Sequence, residues 1–351
     1  MQSSKLPSYE QKNTSDTNQL KATPFDNISE YDKQMIQKYQ SLIEDGTLTI
    51  QQDPNLKSLN FINALKINQL LLYNCKNIVP QFESLTVKKL EIMYCEIQSV
   101  KGFQLENLEA LKLNNTQNII KSNTLVQEIL RFQKLKELLL YQWEIHISPI
   151  SQMTGLTKLN LIHCALRGTE ALRSLINLEQ LCLDDNEDID ITTVQYLINL
   201  TILQLESCNL VSLDVLRPLK KLKELYIFNN KIVYLLPLMK LKQLSQFDAG
   251  FNKIIDIESI QLHPNFDNFM IADQKQPTKE ELEVANMMRD INNQITFLEQ
   301  MNKKSSRIEE INTVFRQKIN QQLQQSCNSH ERFLTRAIYL FKKLSSFDNC
   351  Q

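Results

Sequence analysis

One phrase recurs along this chain and limits what it can fold into. Leu200-Thr-Ile-Leu203-Gln-Leu205-Glu-Ser-Cys208-Asn-Leu210 is followed by Leu222-Lys-Glu-Leu225-Tyr-Ile227-Phe-Asn-Asn230-Lys-Ile232. Both fit L-x-x-L-x-L-x-x-(N/C)-x-L, and they lie 22 residues apart. A unit this short cannot bury its apolar side alone, so it must stack on its neighbours. The Asn/Cys position can be followed through Cys75, Cys95, Thr116, Trp143, Cys164, Asn186, Cys208, Asn230 and Asn252, at steps of 20, 21, 27, 21, 22, 22, 22 and 22.

Two apolar residues in alternation precede each of these positions. They run from Leu70 and Leu72 through Leu159 and Leu161 to Leu225 and Ile227, with a weaker pair, Phe247 and Ala249, in the ninth copy. A period of two is that of a strand, and units that all run the same way make the strands parallel. Elsewhere in the unit the apolar period is three: Leu210, Leu213, Leu216, Leu219 and Leu222. That spacing predicts 3₁₀ turns, and Pro218 and Pro237 suit them. The long interval before Trp143 carries Leu125, Ile129 and Phe132 at helical spacing and predicts a true α-helix there. An indole cannot replace an amide in a repeating hydrogen-bond ladder, so a local distortion is expected at Trp143.

The ends read differently. Residues 1–27 are polar and rich in Ser, Gln, Asn and Lys, which predicts disorder. A capping helix is expected over 28–47, started by a capping box of Ser29 and Asp32, carried by Ile36, Tyr39 and Ile43, and stopped by Gly46. Leu48, Ile50, Leu56, Leu59 and Phe61 read as irregular opening strands, and Phe266, Phe269 and Ile271 as a last strand. The repeats therefore span 48–275. From 276 to 351 the chain reads as two or three helices, with Val284, Met288, Ile291, Ile295 and Leu298 at heptad spacing. Those helices either fold back on one another or pair with another chain. Pairing would make the protein a homo-oligomer and a structural or cytoskeletal assembly component.

These units resemble the short leucine-rich-repeat class, including the repeat regulatory subunit of type-1 protein phosphatase and the internalin repeats. The resemblance covers about Leu48 to Ile271, with Cys or Thr in place of Asn at several ladder positions and one overlong unit. It implies an α/β fold: a curved solenoid with a parallel concave sheet, a convex side of mostly 3₁₀ and short helices, and here a helical C-terminal tail. It also implies a protein ligand on the concave face, with a phosphatase or a cytoskeletal protein as the kinds of partner in view.

Little in the sequence points to other classes. A net charge of −1 supplies no long-range field toward nucleic acid or an anionic membrane. No apolar run reaches the ~20 residues of a membrane span, and the first residues lack the apolar core of a secretory signal. Seven cysteines without paired spacing agree with a reducing compartment, so a cytoplasmic or nuclear protein is expected. His146, His163, His263 and His330 form no metal-ligand spacing, and five glycines leave no room for a phosphate loop. No metal, cofactor or catalytic set is expected. Cys75, Cys95, Cys164 and Cys208 read as buried thiols in the ladder, and Cys182 as a surface thiol.

The residues flanking the strand leucines should point outward in register. They are Tyr73, Met93, Tyr94, Tyr141, Ile162, His163, Asp184, Asp185, Glu206, Tyr226, Phe228 and Phe251. Exposed aromatics are typical interface anchors, although Tyr and Phe also stabilise strands that bind nothing. The expectation is a non-catalytic interaction scaffold or regulatory subunit. Its groove would be aromatic at both ends and acidic at Asp184, Asp185 and Glu206, favouring a basic stretch of the partner.

Overall fold

The computed structural model describes residues 28–76, 82–95, 97, 99–114, 120–122 (backbone only), 124–166, 168–187, 189–279, 282, 283, 286 and 289. The chain divides into two units, Met1–Thr278 and Lys279–Gln351. In the second unit Lys279, Leu282, Glu283, Asn286 and Arg289 are helical, and Lys279 Nζ lies 3.9 Å from Glu283 Oε1 one turn on. The heptad residues from Val284 to Leu298 lie outside the described residues, as do residues 1–27 and Thr116.

The first unit opens with α1 (Glu30–Tyr39) and a hairpin of β1 (Ile43–Glu44) and β2 (Thr47–Gln51). Then follow β3 (Gln69–Tyr73), β4 (Phe82–Glu83), β5 (Lys89–Met93), β6 (Phe103–Gln104), β7 (Ala110–Asn114) and β8 (Ile120–Ser122). After α2 (Leu125–Ile129) come β9 (Glu137–Tyr141), β10 (Trp143–Ile145), β11 (Lys158–Ile162), β12 (Gln180–Cys182), β13 (Ile202–Gln204), β14 (Glu224–Tyr226), β15 (Gln246–Asp248) and β16 (Phe269–Met270). Twelve strands form one sheet in the order β1-β2-β3-β5-β7-β9-β11-β12-β13-β14-β15-β16. Among the described residues, every pairing from β2 onward is parallel, and the β1–β2 hairpin is antiparallel.

Register follows the repeat. Leu203 lies beside Leu225 and Leu225 beside Phe247 on successive strands. The inward leucines stack into one continuous core. Leu203, Leu205, Leu225 and Ile227 are fully buried, and each such side chain removed from water is worth about 1.5–3 kcal/mol. The opposite wall consists of short 3₁₀ turns, among them Asn60–Ala64, Ser148–Gln152, Glu170–Ser174, Thr192–Tyr196, Asp214–Leu216 and Leu236–Lys240. A strand takes about 4.8 Å of stacking distance, less than a helical turn needs, so the sheet lines the concave wall. The α-helix expected in the long unit is α2. Its Glu128 Oε2 accepts from Ser99 Oγ at 2.7 Å and Val100 N at 2.9 Å, and Arg131 donates to the carbonyls of Val100, Lys101 and Phe103.

Side-chain amides join the turns. Asn186 Oδ1 accepts from the N–H groups of Cys164 at 3.0 Å and Leu166 at 3.1 Å, and its Nδ2 donates to Leu161 O at 2.7 Å and Leu183 O at 2.8 Å. Asn230 and Asn252 do the same two and three turns later. The thiols do less. Cys164 and Cys208 each reach two carbonyls, at 3.5 and 3.4 Å and at 3.2 and 3.3 Å. Cys95 Sγ accepts from Cys75 N at 3.3 Å. Burial pushes the Cys164 and Cys208 thiols up to about 12, so they stay protonated.

Several expectations needed correction. The first helix stops at Tyr39, short of residue 47, and Ile43 begins the hairpin. Gly46, with φ 73°, follows Asp45, with φ 48°, in a tight hairpin turn rather than a helix stop. Leu56, Leu59 and Phe61 lie on the 3₁₀ side of the first turn, and Phe266 lies in a 3₁₀ turn before β16. The ladder also runs one place further each way. Gln274 Oε1 accepts from Ile254 N at 3.0 Å, and its Nε2 donates to Ala249 O and Ala272 O, both at 2.9 Å. At the other end stands buried Asp53, bonded by Tyr39 Oη and by Lys38 Nζ at 2.7 Å. Burial works against its charge, but Lys38 and Tyr39 hold the carboxyl below its usual range. Through these bonds and a 5.6 Å stack of Tyr39 on Phe61, α1 covers the first turn. The distortion expected at Trp143 takes the form of β10, which pairs with β8 outside the main sheet.

Candidate functional site

The sheet face is a grid fixed by register. One row crosses the strands as Cys182, Gln204, Tyr226, Asp248 and Met270. Two residues on, the chain reaches Asp184, Glu206, Phe228 and Gly250 on the same face, because side chains alternate. One residue further, just before the ladder position, the backbone turns left-handed in every described unit. Gln52, Asn74, Tyr94, Gln142, His163, Asp185, Ser207, Asn229, Phe251 and Asp273 all have φ between 48° and 61°. Asn and Asp tolerate this conformation through local hydrogen bonds. For Tyr94, His163 and Phe251 it costs on the order of 1 kcal/mol.

The aromatic residues gather at two places. Tyr73 and Tyr94 form a pair with ring centroids 5.7 Å apart, Tyr73 half-buried and Tyr94 exposed. Phe228 and Phe251 form a second pair at 5.0 Å, 36% and 39% exposed. Half-buried Tyr226 lies on β14 before Phe228, its hydroxyl 3.0 Å from both Glu224 Oε2 and Gln246 Oε1. Half-buried Tyr141 on β9 joins neither pair among the described residues, nor does half-buried His163 beyond β11.

Gly250 explains the second pair. A Cβ there would come within 3.1 and 3.2 Å of the Phe228 ring carbons. Other units carry a side chain at this position, such as Tyr73, Tyr141, Asp184 or Phe228 itself. The missing one leaves a notch that the Phe228 ring occupies, against Phe251.

The acidic stretch lies between the pairs. Asp184 is half-buried, its Oδ1 accepting from Glu206 N at 2.8 Å and its Oδ2 from Cys182 Sγ at 3.0 Å. Asp185 is exposed and Glu206 half-buried. Burial raises the Asp184 carboxyl above its usual range, and neighbouring Asp185 adds to the effect. Glu206 is raised by burial and then by Asp184, Asp248 and Asp185. Cys182 is not the surface thiol expected: it is 2% exposed, flanked in register by Asn160 and Gln204. Burial and the Asp184 carboxylate drive its thiol pKa upward, which opposes a thiolate.

Sequence reasoning left out Glu224, Asp248, Gly250 and Met270 on this face. Met270 is 56% exposed and continues the row of Tyr226 and Asp248. The count of 22 from Asp248 would have found it. Among the described residues, no group of three or more His, Cys, Asp and Glu could hold a metal, and no helix is long and apolar enough to cross a membrane.

No protein-family model matches the sequence, and no curated protein matches it. Solved structures do. Internalin inlF of Listeria monocytogenes is 22% identical over 72% of this chain and 77% of its own, with a TM-score of 0.53. Internalin C2 of the same organism is 25% identical over 54% of this chain and 81% of its own, at 0.48. A leucine-rich-repeat protein of Leptospira interrogans is 20% identical over 64% of each chain, at 0.47. These three do not show the expected resemblance to a phosphatase subunit. The inlF likeness bears on architecture, and it agrees with the parallel sheet, the 22-residue register and the amide ladder: in fold, this chain is a leucine-rich-repeat solenoid.

Proposed function

We propose that this protein is a non-catalytic interaction scaffold or regulatory subunit that takes a protein partner on its sheet face. The observation that carries the reading is the Phe228–Phe251 pair. Two phenyl rings stand more than a third exposed, one on a left-handed residue and the other seated in the notch of Gly250. Leaving such rings wet is unfavourable, and the strained backbone at Phe251 opposes their retention on grounds of stability alone. An aromatic pair raised on a rigid sheet is the kind of anchor that dominates protein–protein binding energy.

The test uses the full chain as bait, beside a variant carrying Tyr226→Ala, Phe228→Ala and Phe251→Ala whose folding is verified by circular dichroism. Partners recovered with the native chain should be lost with the variant. An unchanged set of partners would remove the sheet face from the function.

A further inference from the structure

The two halves of the sheet face treat charge differently. Toward the N-terminal end, carboxylates have built-in cations: Lys112 Nζ lies 2.7 Å from Glu91 Oε1, and Lys158 Nζ lies 3.3 Å from Glu137 Oε1. Around the Phe228–Phe251 pair they have none. Among the described residues, Asp184, Glu206, Glu224 and Asp248 take part in no ion pair, although they occupy neighbouring positions on β12 to β15 and the turns beyond. Like charges on adjacent strands repel. One cation does approach the aromatic shelf from within the chain: Lys275 Nζ sits 5.9 Å from the Phe251 ring centroid. The shelf thus already receives an ammonium group in the way a partner's cation would meet it.

We propose that the face from β12 to β16 is the seat of an arginine- or lysine-rich segment of the partner, its cations set among these four carboxylates and over the Phe228–Phe251 rings. This rests on the protein-binding reading above and specifies the chemistry of the partner. Arginine suits the place better than lysine. Its guanidinium stacks on a phenyl face while donating to carboxylates beside it, and it is the more weakly hydrated of the two. Half-buried Asp184 and Glu206 strengthen the attraction, because a charge drawn partly out of water acts through a lower effective dielectric. The bonds that Asp184 receives from Glu206 N and Cys182 Sγ hold its carboxylate in place for an incoming donor.

The test measures binding of a fluorescent octa-arginine peptide to the full chain by anisotropy, beside octa-citrulline (the same length without charge) and octa-glutamate. Only the arginine peptide should bind. Its affinity should fall about tenfold between about 0.05 and about 0.3 M salt. A Glu206→Gln/Asp248→Asn variant, which leaves the bonded Asp184 intact, should weaken it about tenfold, and Glu91→Gln on the paired half should change it less than about twofold. Absence of arginine-peptide binding, equal binding of the citrulline peptide, or no effect of the double variant would overturn the inference. If the arginine peptide fails while native partners are still lost on mutating Phe228, the basic segment is wrong and the protein-binding reading stands.

Discussion

Cys208 and Asn230 hold equivalent places in successive turns, yet the bond between them runs one way. The Cys208 N–H donates to Asn230 Oδ1 at 3.1 Å, while the Cys208 thiol reaches the carbonyls of Leu183 and Glu206. An amide at this position receives two N–H groups and donates two hydrogens, whereas a thiol offers one weak donor. Asn230→Ala would therefore strand the N–H groups of Cys208 and Leu210 and the Leu205 carbonyl. Each stranded buried group costs about 1–3 kcal/mol, so the loss should be about 3 kcal/mol or more. Cys208→Ala should cost about 1 kcal/mol, chiefly in packing. Urea unfolding of the two variants checks the asymmetry, and equal losses would contradict it.

Gly250 permits the Phe228 ring to rest beside Phe251. Gly250→Ala places a methyl group in that space, and the ring, being exposed, swings outward rather than straining the core. Stability should change by less than about 1 kcal/mol, below the usual cost of overpacking a sealed core. Partner recovery should nevertheless fall as far as it does for Phe228→Ala. Retained recovery would show that the geometry of the pair is unimportant.

What the sequence made legible was what its period controls. Leu203, Leu225 and Phe247 could be placed side by side because a constant step of 22 leaves one register. What it left obscure depends on neighbours across strands. Cys182 alternates outward, yet it is covered because Asn160 and Gln204, both longer, flank it. Phe228 and Phe251 are 23 residues apart, a diagonal that becomes a contact only through the left-handed turn at Phe251 and the missing side chain at Gly250. Asp53 and Gln274 sit at the counted positions, but neither is a residue type the motif leads one to seek.

Trp143 offers a different test. Its ring is fully buried, and its Nε1 has no hydrogen-bond partner among the described residues. Trp143→Phe removes the unmatched donor along with some packing, two effects of opposite sign, so stability should change by no more than about 1 kcal/mol. Trp143→Ala leaves a cavity and should cost about 3–5 kcal/mol. Thermal unfolding followed by circular dichroism distinguishes them. A large loss for Trp143→Phe would mean that the indole nitrogen has a partner. As the only tryptophan, its native emission should be blue-shifted and move red on unfolding.

Acidification should act on stability and on binding with opposite signs. Asp184 and Glu206 have folded pKa values raised above their unfolded ones, so the folded chain takes up protons first as pH falls from neutral. The penalty for holding them charged is full above the raised values and is gone below the ordinary carboxylate range of about 4. Stability should rise over that window. Asp53 works in reverse: its pKa is lowered, so its contribution is present above the unfolded value and is lost as pH falls through the folded one. Among the described residues, the titratable groups that interact with Asp184 or Glu206 are Asp185, Asp248, Tyr226, Cys182 and Cys208, none of which is a cation. A variant with Asp184→Asn and Glu206→Gln should flatten the rise between neutral pH and the ordinary carboxylate range of about 4, as read from urea midpoints. Over the same interval the native chain should lose affinity for the octa-arginine peptide, since each proton taken up removes a charge the peptide needs. Binding that strengthened as pH fell would contradict both the placement of the cation and the assignment of these two carboxyls.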